Sequence, residues 1–287
     1  MLKDPAKVLR DLLATPAMQV MPCCFDSLSA KLIAQAGFGL TFMSGFAVSA
    51  ARIGEPDTGL ISYGEMLDQG RNICSAVEIP VIGDGDTGYG NPINVRRTVQ
   101  GYAAAGFAAV MIEDQLAPKR CGHTKGKAVV DKEEAFKRIH AAVEARDEGK
   151  DILILARTDA RHEHGLDEAI SRAEVFAELG ADILFVEAPR NEKEMRRICE
   201  ELPGPKMANL VEGGETPLLA HDTLQEIGFS IAAYPLTLLS SSMLAMQQSL
   251  IAMKSGKHPD QLLDFAELRK IVGFDDYYEM ESRYKTS

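Results

Sequence analysis

The chain has 287 residues, 46% of them apolar and 25% charged, enough for two average domains or for one large α/β barrel. A net charge of −11 argues against nucleic acid or an anionic membrane as a partner, and no uninterrupted apolar run reaches membrane-spanning length. Five cysteines (Cys23, Cys24, Cys74, Cys121, Cys199) are odd in number and lack metal-finger spacing, so a reducing, cytoplasmic setting and a small-molecule ligand are expected.

The chain opens on Asp4-Pro5-Ala6, which reads as a helix cap followed by proline at the first helical position. Val8, Leu9, Leu12 and Leu13 form its apolar stripe, so a folded helix is expected there and not a signal peptide. Strands are then expected at residues 18–23, 39–44, 79–84, 107–113, 152–157, 182–187, 206–210 and 229–234. Each is a short apolar or β-branched run followed by a helical pattern. Four of the helices end in a similar phrase, at Ala36-Gly37, Ala105-Gly106, Leu179-Gly180 and Ile227-Gly228, where glycine is the expected C-cap. Buried parallel strands read as continuous apolar runs, and eight βα units in a chain of this length predict a (β/α)₈ TIM barrel. No low-complexity linker divides the chain, so residues 1–287 read as a single domain with an N-terminal helix and a C-terminal helical extension.

A barrel of this kind puts its chemistry at the C-terminal ends of its strands. The polar residues there are Ser44, Asp84, Asp86, Glu113, Asp114, Arg157, Asp159, Glu187, Asn209 and Glu212. The densest patch is VIGDGDTGYG, residues 81–90, where Asp84 and Asp86 stand among glycines at the end of an apolar run. Two hard carboxylate ligands on a backbone that a ligand can approach closely suit Mg²⁺; an acidic turn without a ligand is the alternative. Gly83 to Gly88 also spells G-x-G-x-x-G, but two aspartates would repel a pyrophosphate and Gly90-Asn91-Pro92 interrupts the helix that should hold it.

The long segment from Gln115 to Val130 contains Lys119-Arg120-Cys121-Gly122-His123 and reads as a mobile lid. Cations flanking Cys121 favour thiolate or an acid suited to proton transfer, whereas the other four cysteines sit in apolar or helical surroundings. His123 is either a base or a substrate anchor. His162 and His164 resemble a metal pair but have no third ligand nearby, and a solvated loop is expected for them.

Together, Asp84-Gly85-Asp86-Thr87-Gly88-Tyr89-Gly90, Glu113-Asp114-Gln115, Lys119-Arg120-Cys121-Gly122-His123, Ala156-Arg157-Thr158-Asp159-Ala160, Glu187-Ala188-Pro189 and Ala208-Asn209 resemble the isocitrate lyase/phosphoenolpyruvate mutase superfamily over nearly the whole chain. The cysteine in the lid marks the lyase branch. Gly126-Lys127-Ala128-Val129-Val130, Asn209-Leu210-Val211-Glu212-Gly213-Gly214 and Tyr278-Glu279-Met280-Glu281-Ser282 look most like its short lyases, of the 2,3-dimethylmalate lyase and petal death protein type.

The resemblance implies a metal site at Asp84, completed by Asp57, Asp86 and Glu113 directly or through water, for Mg²⁺ with Mn²⁺ as a substitute. It implies substrate binding by Ser44, Gly45, Phe46, Gly122, Arg157, Glu187 and Asn209, and catalysis by Cys121, His123, Arg157 and Glu187, with Cys121 as the general acid. The general base stays open between His123, a metal-bound water and Glu187. The implied reaction is cleavage of a 2-hydroxy dicarboxylate, such as 2,3-dimethylmalate or 2-methylisocitrate, to a 2-keto acid such as pyruvate plus a carboxylate. Hydrolysis or decarboxylation of oxaloacetate, a phosphonate mutase or hydrolase activity, and keto-acid binding without catalysis are the alternatives. The resemblance also implies a homotetramer, a dimer of dimers, in which the Met-rich helix at 238–256 is swapped between subunits and the segment Pro259 to Tyr284 extends the barrel.

Overall fold

The computed structural model describes residues 2–120 and 126–285. Eight strands are present: β1 (Gln19–Cys24), β2 (Thr41–Met43), β3 (Val81–Asp84), β4 (Ala109–Glu113), β5 (Leu153–Thr158), β6 (Ile183–Val186), β7 (Met207–Asn209) and β8 (Ile231–Tyr234). They are all parallel and follow the order β6-β5-β4-β3-β2-β1-β8-β7. A parallel bridge between Leu184 and Lys206 brings the two end strands together. The result is a nearly closed (β/α)₈ barrel surrounded by helices. Strand boundaries differ from those expected by one or two residues; β3, for instance, begins after Pro80, which has no N–H to give to a ladder.

Alternation along the strands sorts side chains into two cores. Met21 and Cys23, Phe42, Ile82, Ala109 and Met111, Leu153 and Leu155, Ile183 and Phe185, Met207, and Ile231 and Ala233 fill the lumen. Their neighbours, among them Met43, Val110, Ile112, Ile154, Ala156, Leu184 and Val186, pack outward against the helices. Burial on both faces is why the strands read as unbroken apolar runs. Ala6 and Leu9 of the first helix, Pro5–Leu13, join the lumen cluster and close the barrel's N-terminal end. Asp4 precedes this helix in a left-handed conformation (φ 52°) with no side-chain cap bond, so proline at the first helical position alone matches the expected start.

The helix-ending glycines behave as their spacing implies. Gly37, Gly106, Gly180 and Gly228 have φ between 87° and 109°, where a side chain is disfavoured. Residues up to Leu238 form one compact unit and residues from Leu239 a second, helical one. The second unit, taken alone, contains the helices Phe265–Val272 and Phe274–Ser282 and exposes Leu250, Ile251, Leu262, Phe265 and Tyr284, each more than 60% accessible.

Candidate active site

The lumen columns lead directly to the site. Two residues beyond the last lumen side chain of each strand from β2 to β8, where alternation points inward again, stand Ser44 (after Phe42), Asp84 (after Ile82), Glu113 (after Met111), Arg157 (after Leu155), Glu187 (after Phe185), Asn209 (after Met207) and Pro235 (after Ala233). All of these line one cavity of about 60 Å³, whose floor is Cys23, Phe42, Met111, Phe185, Met207 and Ala233. Phe46, Asp57, Lys119, Arg120, Val211 and Leu236 complete its walls.

At the end of β3, the Gly45 amide donates to Asp84 Oδ2 (3.1 Å) and the Asp86 amide to Asp84 Oδ1 (3.0 Å). A Cβ on Gly45 would lie 2.4 Å from Asp84 Oδ2, so only glycine permits this approach. Behind the carboxylate, the Tyr102 hydroxyl donates to the Asp84 carbonyl (2.6 Å). Asp86 itself sits at φ 48°, a left-handed turn that brings its carboxylate toward Lys119. Lys119 Nζ lies 2.6 Å from Asp57 Oδ1 and 2.7 Å from Asp86 Oδ1. Neither oxygen meets hydrogen-bond geometry with it or with any other partner, so these contacts are charge pairing by proximity.

On the β4–β6 side, Arg157 forks onto Asp159, with Nε to Oδ2 at 2.7 Å and Nη2 to Oδ1 at 3.0 Å. It also approaches Glu113 (3.4 Å) and Glu187 (3.3 Å), and its guanidinium lies 5.2 Å from the centre of the Phe185 ring. Asn209 Nδ2 donates to Glu187 Oε2 (3.1 Å). Asp114 accepts from Thr158 Oγ1 (2.7 Å), from the Asp159 amide (2.9 Å) and from Arg172 Nη1 (3.0 Å), and Arg172 also donates to the Val130 carbonyl (2.9 Å). Arg138 donates to the Gln115 carbonyl (2.8 Å), so an arginine holds each root of the 115–130 segment.

Burial dominates the electrostatics. It pushes Asp84 upward, with the Asp86 charge adding to it, and pushes Glu113 well above the usual carboxylate range although Arg157 opposes it. Burial would likewise raise Asp159, but Arg157, Lys127 and Gln115 together outweigh it and hold it below the ordinary value. Lys119 and Arg157 lose solvent yet stay firmly charged, Lys119 because of Asp86, Asp84 and Asp57, Arg157 because of Asp159, Glu113 and Glu187. In all, Asp57, Asp84, Asp86, Glu113, Asp159 and Glu187 are buried against Lys119, Lys127 and Arg157, six carboxylates to three cations.

That excess of hard oxygen donors fits a divalent cation. Glu113 Oε1 is buried without a hydrogen-bond partner, and the Gly45 cradle leaves Asp84 accessible at the cavity wall. Among the described residues no three carboxylate, imidazole or thiol groups converge tightly enough to chelate an ion unaided. Mg²⁺ is the ion such a donor set suits, because it keeps several waters and takes one or two protein carboxylates.

The structure therefore brings together Ser44, Gly45, Phe46, Asp57, Asp84, Asp86, Glu113, Arg157, Glu187 and Asn209. Cys121, Gly122 and His123 lie outside the described residues. Cys23, Cys24 and Cys74 are buried thiols, while His162 and His164 belong to a short helix, Arg161–His164, and not to a loop. Reasoning from residue types missed that Lys119 and Lys127 serve the protein's own carboxylates; Lys127 Nζ is 3.6 Å from Asp159. It also missed Arg172 and Tyr102, which sit mid-helix with nothing local to mark them.

The profile of the phosphoenolpyruvate phosphomutase family matches residues 9–254. The chain is 42% identical to 2,3-dimethylmalate lyase of Eubacterium barkeri, covering 99% of each chain. It is 41% identical to the chloroplastic carboxyvinyl-carboxyphosphonate phosphorylmutase of Arabidopsis thaliana, over 92% of this chain and 80% of that one. Among solved structures, oxaloacetate acetylhydrolase in complex with the inhibitor 3,3-difluorooxalacetate superposes with a TM-score of 0.94 at 33% identity, covering 97% of this chain and 96% of the other. A family profile spanning most of the barrel and relatives aligned nearly end to end place this chain in the phosphoenolpyruvate mutase/isocitrate lyase superfamily, to which it belongs as an enzyme.

Proposed function

We propose that this carbon–carbon lyase cleaves a substituted malate, a 2-hydroxy dicarboxylate, to a 2-keto acid such as pyruvate and a carboxylate. The observation that carries the reading is the ring of polar side chains from six of the eight strand ends around one small cavity with surplus buried carboxylates. Asp84, supported by Asp57, Asp86 and Glu113, would hold Mg²⁺ or Mn²⁺, which when bound lowers the energy of alkoxide charge developing at C2. Ser44 and the Gly45–Phe46 backbone receive a substrate carboxylate at the start of the helix Gly45–Val48. Arg157, buried at the cavity wall beside Glu113 and Glu187, is the cation that would face negative charge growing in the transition state.

In the cleavage, the C2 hydroxyl proton passes to a base, the C2 oxygen becomes a carbonyl, and the C2–C3 electron pair moves onto the departing carboxylate fragment. Cys121 returns a proton to C3 of that fragment. The base remains open between His123, a bound water and Glu187; burial of Glu187 between Arg157 and Asn209 supports a role in orientation. A homotetramer is part of the same reading, supported by the apolar residues that the C-terminal unit exposes. The free thiols Cys23, Cys24, Cys74 and Cys199 support a reducing, cytoplasmic setting. No helix among the described residues is long and apolar enough to cross a membrane.

The likeness to oxaloacetate acetylhydrolase supports a second reading, hydrolysis or decarboxylation of oxaloacetate at the same carboxylate cluster. The deciding experiment measures, with Mg²⁺, keto-acid release from malates, methylmalates, 2-methylisocitrate and phosphonopyruvate, and both pyruvate and oxalate release from oxaloacetate. Turnover of substituted malates, with none of oxaloacetate or phosphonopyruvate, is the expected result; the reverse pattern would overturn the lyase reading.

A further inference from the structure

Asp84 and Asp86 begin a turn that its own residues do not favour. Asp86 (φ 48°) and Tyr89 (φ 59°) are both left-handed, a conformation disfavoured for residues that carry a side chain, so the surroundings must hold residues 84–90 in place. On one side β4 does so: the Gly85 amide donates to the Met111 carbonyl (2.9 Å) and the Glu113 amide to the Asp86 carbonyl (2.9 Å). On the other side the helix that follows the turn, Pro92–Ala105, grips it from one face. Val95 packs under Gly88, where a Cβ would lie 2.3 Å from Val95 Cγ2. Thr98 Oγ1 donates to the Gly88 carbonyl (3.1 Å), and one turn later the Tyr102 hydroxyl donates to the Asp84 carbonyl (2.6 Å). Tyr102 has no room to step aside. Its buried ring stacks on Phe107 with centroids 4.7 Å apart, and a Cβ on Gly83 would come within 2.6 Å of Tyr102 Cε1.

We infer that Tyr102, backed by Thr98, is a positioning residue for the metal centre: its hydroxyl fixes the Asp84–Gly85 peptide and, through it, the direction of the Asp84 carboxylate. The inference rests on the reading of Asp84 as the metal ligand. That peptide is held at both ends, its N–H by Met111 and its oxygen by Tyr102. Without the hydroxyl, a buried carbonyl oxygen loses a donor and the peptide is freer to tilt. The turn would tilt with it, carrying the Asp86 amide that orients Asp84 Oδ1, so the two carboxylates would lose their aim together. Mg²⁺ demands near-ideal ligand geometry, so an error in aim appears as lost affinity. Removing a partner that orients a metal ligand costs roughly 10–100-fold in metal affinity.

The test is Mg²⁺ binding to the substrate-free protein by calorimetry, with Mn²⁺ followed by electron paramagnetic resonance as a second reporter. Tyr102→Phe removes one oxygen and keeps the ring; it should raise the Mg²⁺ dissociation constant by roughly 10-fold or more. Thr98→Val keeps the shape of the side chain while removing the anchor on Gly88, and it should raise the constant by a smaller factor. It takes the place of Tyr102→Phe in the comparison if that variant folds poorly. Ile198→Ala, a cavity in the same hydrophobic core on the helix Glu192–Glu201, should lower the melting temperature and leave Mg²⁺ affinity unchanged. Unchanged affinity in a folded Tyr102→Phe protein, or an equal loss in Ile198→Ala, would reduce Tyr102 to a packing residue and overturn the inference with the metal site still standing. A wild-type protein that binds neither ion would overturn the metal reading itself and the inference with it.

Discussion

The two ends of the barrel use the same ion pairs in opposite ways. At the N-terminal end, Arg10 forks onto Asp151 with both bonds at 2.6 Å, and Arg146 meets Asp182 at 2.8 Å. Arg10 and Asp151 are half exposed, and with Asp147, which Arg146 also meets at 2.8 Å, this group holds three carboxylates to two cations within reach of water. At the C-terminal end, Arg157 forks onto Asp159 with similar geometry, but both are buried and carboxylates outnumber cations. Exposed pairs contribute about 0–1 kcal/mol, since water screens them and would solvate either partner alone. Buried ones leave an uncompensated charge when broken. Geometry alone therefore does not tell a stabilising pair from a functional one; an excess of one sign that is also buried does.

The comparison makes a graded set of predictions. Asp84→Ala should have the largest effect, a loss of activity on the order of 10³-fold or more together with weaker Mg²⁺ binding by calorimetry. Retained turnover at ordinary Mg²⁺ would remove the functional reading of the carboxylate excess. Arg172→Met should destabilise the fold by about 3–5 kcal/mol in denaturant unfolding, because Asp114 would stay buried without its cation. A change below ~1 kcal/mol there would mean that the upper pairs are no different from the lower ones.

Cys121→Ser should lower kcat by roughly 10²-fold or more with KM little changed, since a serine hydroxyl is a far weaker acid. Alkylation offers a cross-check. Burial pushes the Cys24 thiol up to about 12 and Cys23 well above its ordinary value, so a thiol reagent should inactivate through Cys121 first, with Mg²⁺ and a keto-acid product protecting. Full activity in the serine variant would sink the general-acid role.

The smallest effect belongs to the lower pair. Asp151→Asn should cost less than about 1 kcal/mol, because solvent screens the interaction. Hydrogen bonding from Arg10 holds the Asp151 carboxyl below its ordinary value, so its contribution is complete at neutral pH and is lost as pH falls through that depressed value. The melting temperatures of wild type and Asp151→Asn should therefore differ slightly at pH 7 and converge well below about pH 4.

Much of this site could be read from local pattern. The eight apolar runs and the helix-ending glycines suffice for the barrel, because strand burial and C-caps are local constraints that each segment must satisfy by itself. The strand-end residues Ser44, Asp84, Glu113, Arg157, Glu187 and Asn209 follow from the same alternation, carried two positions past the lumen. Asp57 was different: it lies in the loop after the helix-like turn Ser49–Ile53, and only the family resemblance pointed to it. Lys119 was visible as a cation in a loop, but nothing local distinguishes a solvated lysine from one buried between Asp57 and Asp86.

What sequence alone determined, then, was the list of strands, their inward-facing columns and the chemical character of each strand end, because alternation has a period of two and acts within each segment. Tertiary structure decided which of those ends are neighbours and which are opposite. Barrel closure sets β8 beside β1 and across from β4, and so gathers the six polar strand ends around one cavity. It also decided which charges neutralise each other, since the distances from Lys119 to Asp57 and Asp86, or from Arg172 to Asp114, depend on how elements far apart in the chain pack, and Coulomb energies and burial follow those distances and not the order of residues.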